Sequence, residues 1–302
     1  MQSHHYFNVQ KDRSKEQVSH KLYHISLDAY KVYPNKPFFI GEFGFGKSDA
    51  QRYLKKDPYG VDLHNTLWST LFSGSIGSAS FWQWSALEKC GIHGIFKPML
   101  TFCKSLPVPS ATFEPRTTGE ESKTNKHSVI FPKGLETYYM INAVEDTLYG
   151  WCQDTAFTYQ SLRRLTDKVG SNGHFEDNGL FDAKGYVYTL NADKRPRPCS
   201  RKNAISLPIT RQPEGTRYDI QWYDTETGLE LVGERTTATV KGKTLTFDFP
   251  SSIRNVRKKT INNTFGDAVF VITRENKNGS TPESNAANTT KKIRVKKDRN
   301  RQ

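Results

Sequence analysis

One acid interrupts an otherwise apolar run, Pro37-Phe38-Phe39-Ile40-Gly41-Glu42-Phe43. Burying a carboxylate without partners is expensive, so an acid at the end of such a run has a task. In parallel β/α architectures, catalytic groups project from the C-terminal ends of strands. Two further pairs share that placement. His4 and Tyr6 are two residues apart, and so are Trp82 and Trp84, so each pair points to one side of an extended segment. A histidine, a phenol and a carboxylate beside indole faces suit a sugar. The indoles pack on the C–H side of a pyranose, and the polar groups bond its hydroxyls. The competing assignments are structural, with Glu42 pairing with a lysine or capping a backbone and the indoles filling a core.

The elements that must position these residues follow from periodicity. Gln2 to Phe7 reads as a short strand. From Ser14 to Val32, the apolar positions Val18, Leu22, Ile25, Ala29 and Val32 recur at helical steps. Pro34 and Pro37 end that helix, and the run holding Glu42 reads as a strand buried on both faces. Leu63, Leu67 and Leu71 form a second helical stripe, closed by Gly74. Ile76 to Trp84 reads as a third strand and Gly94 to Leu106 as a third helix. Strand–helix order repeated three times predicts a parallel sheet with helices on its outer face.

After Pro109 the texture changes. Short β-rich segments are separated by turn signals: Thr137 to Ile141, Gly185 to Leu190, Arg217 to Tyr223, Thr236 to Val240, Thr244 to Phe249 and Ala268 to Thr273. They predict an antiparallel β-sandwich. The expected organisation is therefore an α/β unit over 1–110, a β-sandwich accessory domain over 111–275 and a disordered basic tail over 276–302. Of the 302 residues, 44 are Lys or Arg and 31 Asp or Glu, a net charge of +13. Lys291 to Gln302 alone carries seven bases and one acid, a net +6. That places nearly half the excess in a tail, which reads as a solvated charge run rather than a nucleic-acid footprint. No apolar run is long enough for a membrane span, and no secretory signal follows Met1. Cys90, Cys103, Cys152 and Cys199 show neither zinc nor redox spacing, so no metal or cofactor is expected.

Three segments together resemble a known family. Lys36-Pro37-Phe38-Phe39-Ile40-Gly41-Glu42-Phe43-Gly44, Leu63-His64-Asn65-Thr66-Leu67-Trp68 and Ala79-Ser80-Phe81-Trp82-Gln83-Trp84 look like the C-terminal part of a clan A glycoside hydrolase barrel. The resemblance is to the family 5-like, cellulase-related group. It implies three βα units, strands six to eight of a (β/α)8 TIM barrel, followed by the sandwich. It also implies retaining hydrolysis of a β-linked polysaccharide or oligosaccharide, with Glu42 as nucleophile, Tyr6 and His4 beside it, and Trp82 and then Trp84 in the first sugar subsite. Members of the family are usually secreted, periplasmic or on the cell surface.

A barrel needs roughly 250 residues, and the family's Asn-Glu acid/base on strand four has no counterpart among the first 110. A retaining glycosidase needs two carboxyls about 5–5.5 Å apart, so the chain by itself is expected to be nearly inactive. Glu88 and Asp49 lie in loops near the same end. The alternative is a carbohydrate-binding or accessory module without activity of its own, acting through aromatics such as Trp151, Trp222 and Tyr223.

Overall fold

The structure is a computed structural model. It describes residues 1–7, 17–44, 60–84, 87, 92–106, 112–118, 134–158, 198, 203–255, 257–258, 260–261 and 265–275. Expectations placed on Gly185 to Leu190, Asp49, Glu88, Cys90, Cys199 and the tail from 276 lie outside the described residues.

Two short strands, β1 (Gln2–Tyr6) and β2 (Phe39–Gly44), pair in parallel. Three helices follow the apolar periods: α1 (Val18–Val32), α2 (Val61–Leu71) and α3 (Phe96–Ser105). Leu22 and Leu27 of α1 and Leu63 and Leu67 of α2 are buried, and α1 packs chiefly on α2. The remaining strands are β3 (Phe113–Thr117), β4 (Leu135–Asn142), β5 (Thr147–Asp154), β6 (Ala204–Pro208), β7 (Arg217–Asp224), β8 (Thr236–Lys241), β9 (Thr244–Asp248), β10 (Arg254–Asn255), β11 (Thr260–Ile261) and β12 (Asp267–Arg274). Eight of them form one antiparallel sheet in the order β3-β4-β5-β12-β7-β8-β9-β6.

This architecture corrects the expectation of three barrel βα units followed by a sandwich. Among the described residues the protein is mostly β, one curled antiparallel sheet with the three α-helices above. Parallel pairing among the described residues is confined to β1 with β2 and a single isolated bridge between Phe43 and Phe81. The stretch read as a third strand, Ile76 to Trp84, forms no strand. It opens with Gly77, Ser78 and Ser80, after Ser73, Gly74 and Ser75, and its backbone follows β2 through scattered bonds such as Ser80 N–H to the Ile40 carbonyl at 2.9 Å. Small residues offer little side-chain packing to hold a ladder. The expected sandwich is replaced by a single sheet that folds back on itself, because its two ends meet across one core.

That core is set by alternation. Tyr139 and Ile141 of β4, Leu148 and Cys152 of β5, Ala268, Phe270 and Ile272 of β12, and Ile220 and Trp222 of β7 share a cluster with Ile205 and Leu207 of β6 at the far edge. The opposite face carries Tyr138, Tyr149, Trp151, Tyr223 and Val269, and these pack in a second cluster with Leu22, Tyr23, Leu63, Trp68 and Phe102 of the helices. The helices and the sheet thus share one of the two cores. The central strand β12 is apolar on both faces because both are covered. Pro115 is accommodated on β3, an edge strand, where its missing N–H disturbs no ladder.

Inside the curl, Phe270 lies over Gly150. A Cβ at that position would come within 2.3 Å of the Phe270 ring and 2.7 Å of Tyr139 Cβ. Gly150→Ala is therefore expected to lower stability by about 1–3 kcal/mol through overpacking, read as a lower denaturant midpoint. An unchanged midpoint would show that Phe270 moves aside at no cost.

Candidate active site

The parallel register of β1 and β2 sets His4 opposite Glu42 and Tyr6 opposite Gly44, with an irregularity between Ser3 and His4. Side chains of β1 alternate, and His4 and Tyr6 fall on its exposed face. On β2, Phe43 turns inward, buried, with its ring 5.3 Å from Phe81. Glu42 therefore faces the other way, toward His4 and Tyr6. The Tyr6 hydroxyl donates to Glu42 Oε2. His4 Nδ1 lies 3.2 Å from the same oxygen.

The Trp82 ring stands edge-on to Tyr6, with centroids 6.4 Å apart and an interplanar angle of 83°. Its backbone N–H bonds the Phe43 carbonyl at 2.8 Å, which ties the indole to the strand that carries Glu42. Trp82 is 50% exposed and Trp84 65%. Four of the five residues singled out from the sequence, His4, Tyr6, Glu42 and Trp82, thus come together at one end of the β1–β2 pair. Trp84 is two residues further on, exposed, and makes no ring contact with them among the described residues. Among the described residues Glu42 accepts from the Tyr6 phenol and lies beside the His4 imidazole, and no lysine or capped backbone bonds it.

The chemistry of this group is that of an oriented carboxylate. The Tyr6 hydroxyl on one oxygen stabilises the ionised form, and the Trp82 indole beside it presents an apolar face to solvent. The Tyr6 phenol is raised above the usual tyrosine value, first by its bond to Glu42. A raised value means the phenol keeps its proton across neutral pH, and the bond is lost only as pH climbs through the alkaline range. On the other face of β1, burial, with Lys21 and His4 adding, pushes the His5 imidazole down. Burial pushes the Cys103 and Cys152 thiols up, so neither has thiolate character. Among the described residues no cluster of three or more His, Cys, Asp or Glu side chains could hold a metal ion.

The aromatics that the binding-module alternative relied on are buried: Trp151 at 0%, Trp222 at 1% and Tyr223 at 8% exposure. Trp151 and Tyr223 pack under the helices and Trp222 inside the curl. They present no face to a saccharide.

A buried polar row joins the helical layer to the sheet, and sequence reasoning did not find it. Glu136, Gln153 and Asp267 lie in register across β4, β5 and β12, all essentially without solvent contact. His64 of α2 lies 2.7 Å from Asp267 Oδ2, the Trp151 indole N–H donates to that oxygen at 2.5 Å, and the Thr225 hydroxyl donates to Oδ1 at 2.5 Å. His20 of α1 sits 3.0 Å from Glu136 Oε1, and the Gln153 amide reaches Glu136 Oε2 at 3.4 Å. The only signal in the sequence was an acid, Asp267, directly before the apolar run of β12. Its partner lies 203 residues away.

Comparison with family models, with curated proteins and with solved structures found no match to this chain. No helix among the described residues is long and apolar enough to cross a membrane.

Two outcomes follow. Asp267→Ala strands a buried imidazole, an indole N–H and a hydroxyl, and is expected to cost about 3–5 kcal/mol, measured by chemical denaturation; a loss under about 1 kcal/mol would show that the row is not what holds the layers together. Glu42→Gln is expected to bring the Tyr6 titration, followed by NMR of labelled tyrosine, back down toward the ordinary phenol range. A Tyr6 titration unmoved by that change would mean that Glu42 is not its partner in solution.

Proposed function

We propose that the chain supplies the nucleophile, Glu42, of a retaining glycoside hydrolase that acts on β-linked saccharides. The single observation that carries this reading is the arrangement around Glu42: one carboxylate that accepts from the Tyr6 hydroxyl, an imidazole 3.2 Å from the same oxygen, and an exposed indole beside them. The sequence resemblance to cellulase-related hydrolases supports the same roles. Tyr6 orients the carboxylate, His4 bonds a sugar hydroxyl, Trp82 stacks on the ring, and Trp84 extends the apolar surface. The substrate is a β-linked polysaccharide or oligosaccharide.

Retaining hydrolysis needs a second carboxyl about 5–5.5 Å from the first, to protonate the leaving oxygen. Among the described residues no second acid touches the Tyr6–Glu42–His4 group. General acid help is worth 10²–10⁴-fold, so the chain alone is expected to show no robust hydrolysis of β-glucan or β-mannan. Purified protein assayed on both polymers beside Glu42→Gln tests this. Turnover at an ordinary enzymatic rate, abolished in the variant, would mean that a second carboxyl within the chain serves as acid. Measurable hydrolysis that is equal in the two proteins would remove Glu42 from the chemistry.

A further inference from the structure

We propose that the gap between β8 and β9 is a docking site for an extended segment of chain, and that its occupant is Lys292-Ile293-Arg294-Val295-Lys296 of the same molecule. The proposal stands apart from the glycosidase reading.

Gly242 and Lys243 join β8 to β9, and the ladder between the strands holds only Lys241 with Thr244 and Val240 with Leu245. Beyond those pairs the strands part. Thr236 to Thr239 stay paired with β7, and Thr246 to Asp248 with β6. Alternation gives the direction of each backbone group. The Val240 N–H donates to the Thr216 carbonyl and its own carbonyl accepts from Gly215, both on the β7 side. Those of Thr237 and Thr239 therefore point the other way, toward β9. The Lys243 carbonyl accepts from Ile209 and the Phe249 N–H donates to Asn203, both on the β6 side. Those of Thr246 and Asp248 therefore point toward β8. A continued hairpin would bond Thr239 to Thr246 and Thr237 to Asp248, and neither pair is made. Two strand edges thus face each other across an opening. An open edge is a template for another strand, and addition of an extended peptide is the recognition mode that uses it.

The opening holds a cavity of about 530 Å³, within the range of ligand clefts. Thr236 and Thr237 line one wall and Thr246 and Asp248 the other, with Phe247 and Phe249 at the base. Both phenyl rings pack on Trp222, with centroids 5.9 and 5.5 Å away. Glu234 bridges the end far from the turn, where its carboxylate accepts from the Ser252 N–H at 2.7 Å and the Ser251 N–H at 3.3 Å. Arg235, the base on the lining, pairs with Asp219 at 3.2 Å. The lining charge left over is negative, from Glu234 and Asp248. Lys241 and Lys243 stand at the turn, outside the lining.

An occupant must offer backbone to both edges, apolar side chains to the base and positive charge to the rim. Lys292-Ile293-Arg294-Val295-Lys296 alternates base with β-branched residue, the period of a strand with one face buried. Seated in the gap, Ile293 and Val295 meet Phe247 and Phe249, and the three bases lie on the side of Asp248. The distance is short. The Glu275 N–H donates to the Arg217 carbonyl at 3.0 Å, and Arg217 lies opposite Thr239 of β8. The gap is therefore about three strand spacings, roughly 14 Å, from Glu275. Residues 276–291 span up to roughly 50 Å at about 3.3 Å each.

Amide hydrogen exchange at Thr237, Thr239, Thr246 and Asp248, with the Trp222 indole signal beside it, provides the test. The full chain is compared with one ending at Thr290, and with a full chain carrying Ile293→Asp and Val295→Asp. Both changes leave every described residue intact, so the fold is kept. The four amides are expected to exchange about tenfold or more faster in both altered proteins than in the full chain, with a shift of the Trp222 indole. Asp248→Lys, at an exposed position, is expected to act in the same direction. An acetylated and amidated peptide of residues 290–297, added to the shortened chain, should restore protection. Equal exchange in the full and shortened chains overturns the proposal. So does a doubly substituted chain that exchanges like the full one, since charge alone would then suffice. Protection that disappears on dilution puts the segment of a second copy in the gap, and overturns its assignment to the same molecule.

Discussion

A carboxylate shut away from water must be met by donors, and among the described residues Asp267 is met by donors from three parts of the chain. His64 comes from α2, Trp151 from β5 and Thr225 from the turn after β7. Losing any one leaves a buried charge short of a partner, a cost that an apolar contact does not impose. Apolar packing between helices and sheet is tolerant of sliding; this contact is not. His64 also stacks on Phe265, with ring centroids 3.6 Å apart, which fixes the imidazole plane as well as its nitrogen. The second pair, His20 with Glu136, sits two strands away on α1. The first two helices are thus each tied to the sheet through a buried histidine–carboxylate contact.

The Glu42 group depends on that docking. β1 and β2 are only two strands, and a pair of that size is marginal by itself. β2 is covered by the helices through Phe38, Ile40 and Phe43, which belong to the core shared with the sheet. With β2 fixed, its register with β1 sets His4 against Glu42, and the bond from Trp82 to the Phe43 carbonyl places the indole. The site is built from exposed side chains on a buried frame. This division leaves the group open to solvent while the buried frame holds the carboxylate in one orientation.

Local patterns in the sequence foretold local structure. The steps of three and four in Val18 to Val32 and in Leu63 to Leu71 became helices, and the acid in the apolar run became an outward carboxylate between two neighbours spaced for it. Pairing over long distances was less legible. β12 reads Asp-Ala-Val-Phe-Val-Ile-Thr-Arg, apolar on both faces, which fits a strand between two sheets as well as one between a curled sheet and a helical layer. Nothing local separates the two, and the structure has the second. The order strand–helix–strand–helix pointed to a parallel sheet, yet parallel pairing stopped at two strands. The glycines and serines before Phe81 give the chain no side chains to zip a third. Trp151 and Trp222 are chemically able to bind sugar, and only their burial shows that they do not. The His64–Asp267 contact spans 203 residues and left no mark on local spacing.

The central claim is that saccharide meets this protein at the Glu42 group. The five tryptophans divide cleanly, with Trp68, Trp151 and Trp222 buried and Trp82 and Trp84 exposed, so indole N–H signals report position directly. Titration of the full chain with a β-linked gluco-oligosaccharide, followed by proton–nitrogen NMR, is the most direct measurement. The account predicts that the Trp82 signal shifts, with Trp84 alongside it, while the three buried indoles stay in place. Saturating oligosaccharide that moves neither Trp82 nor Trp84, or that moves Trp222 alone, would contradict it.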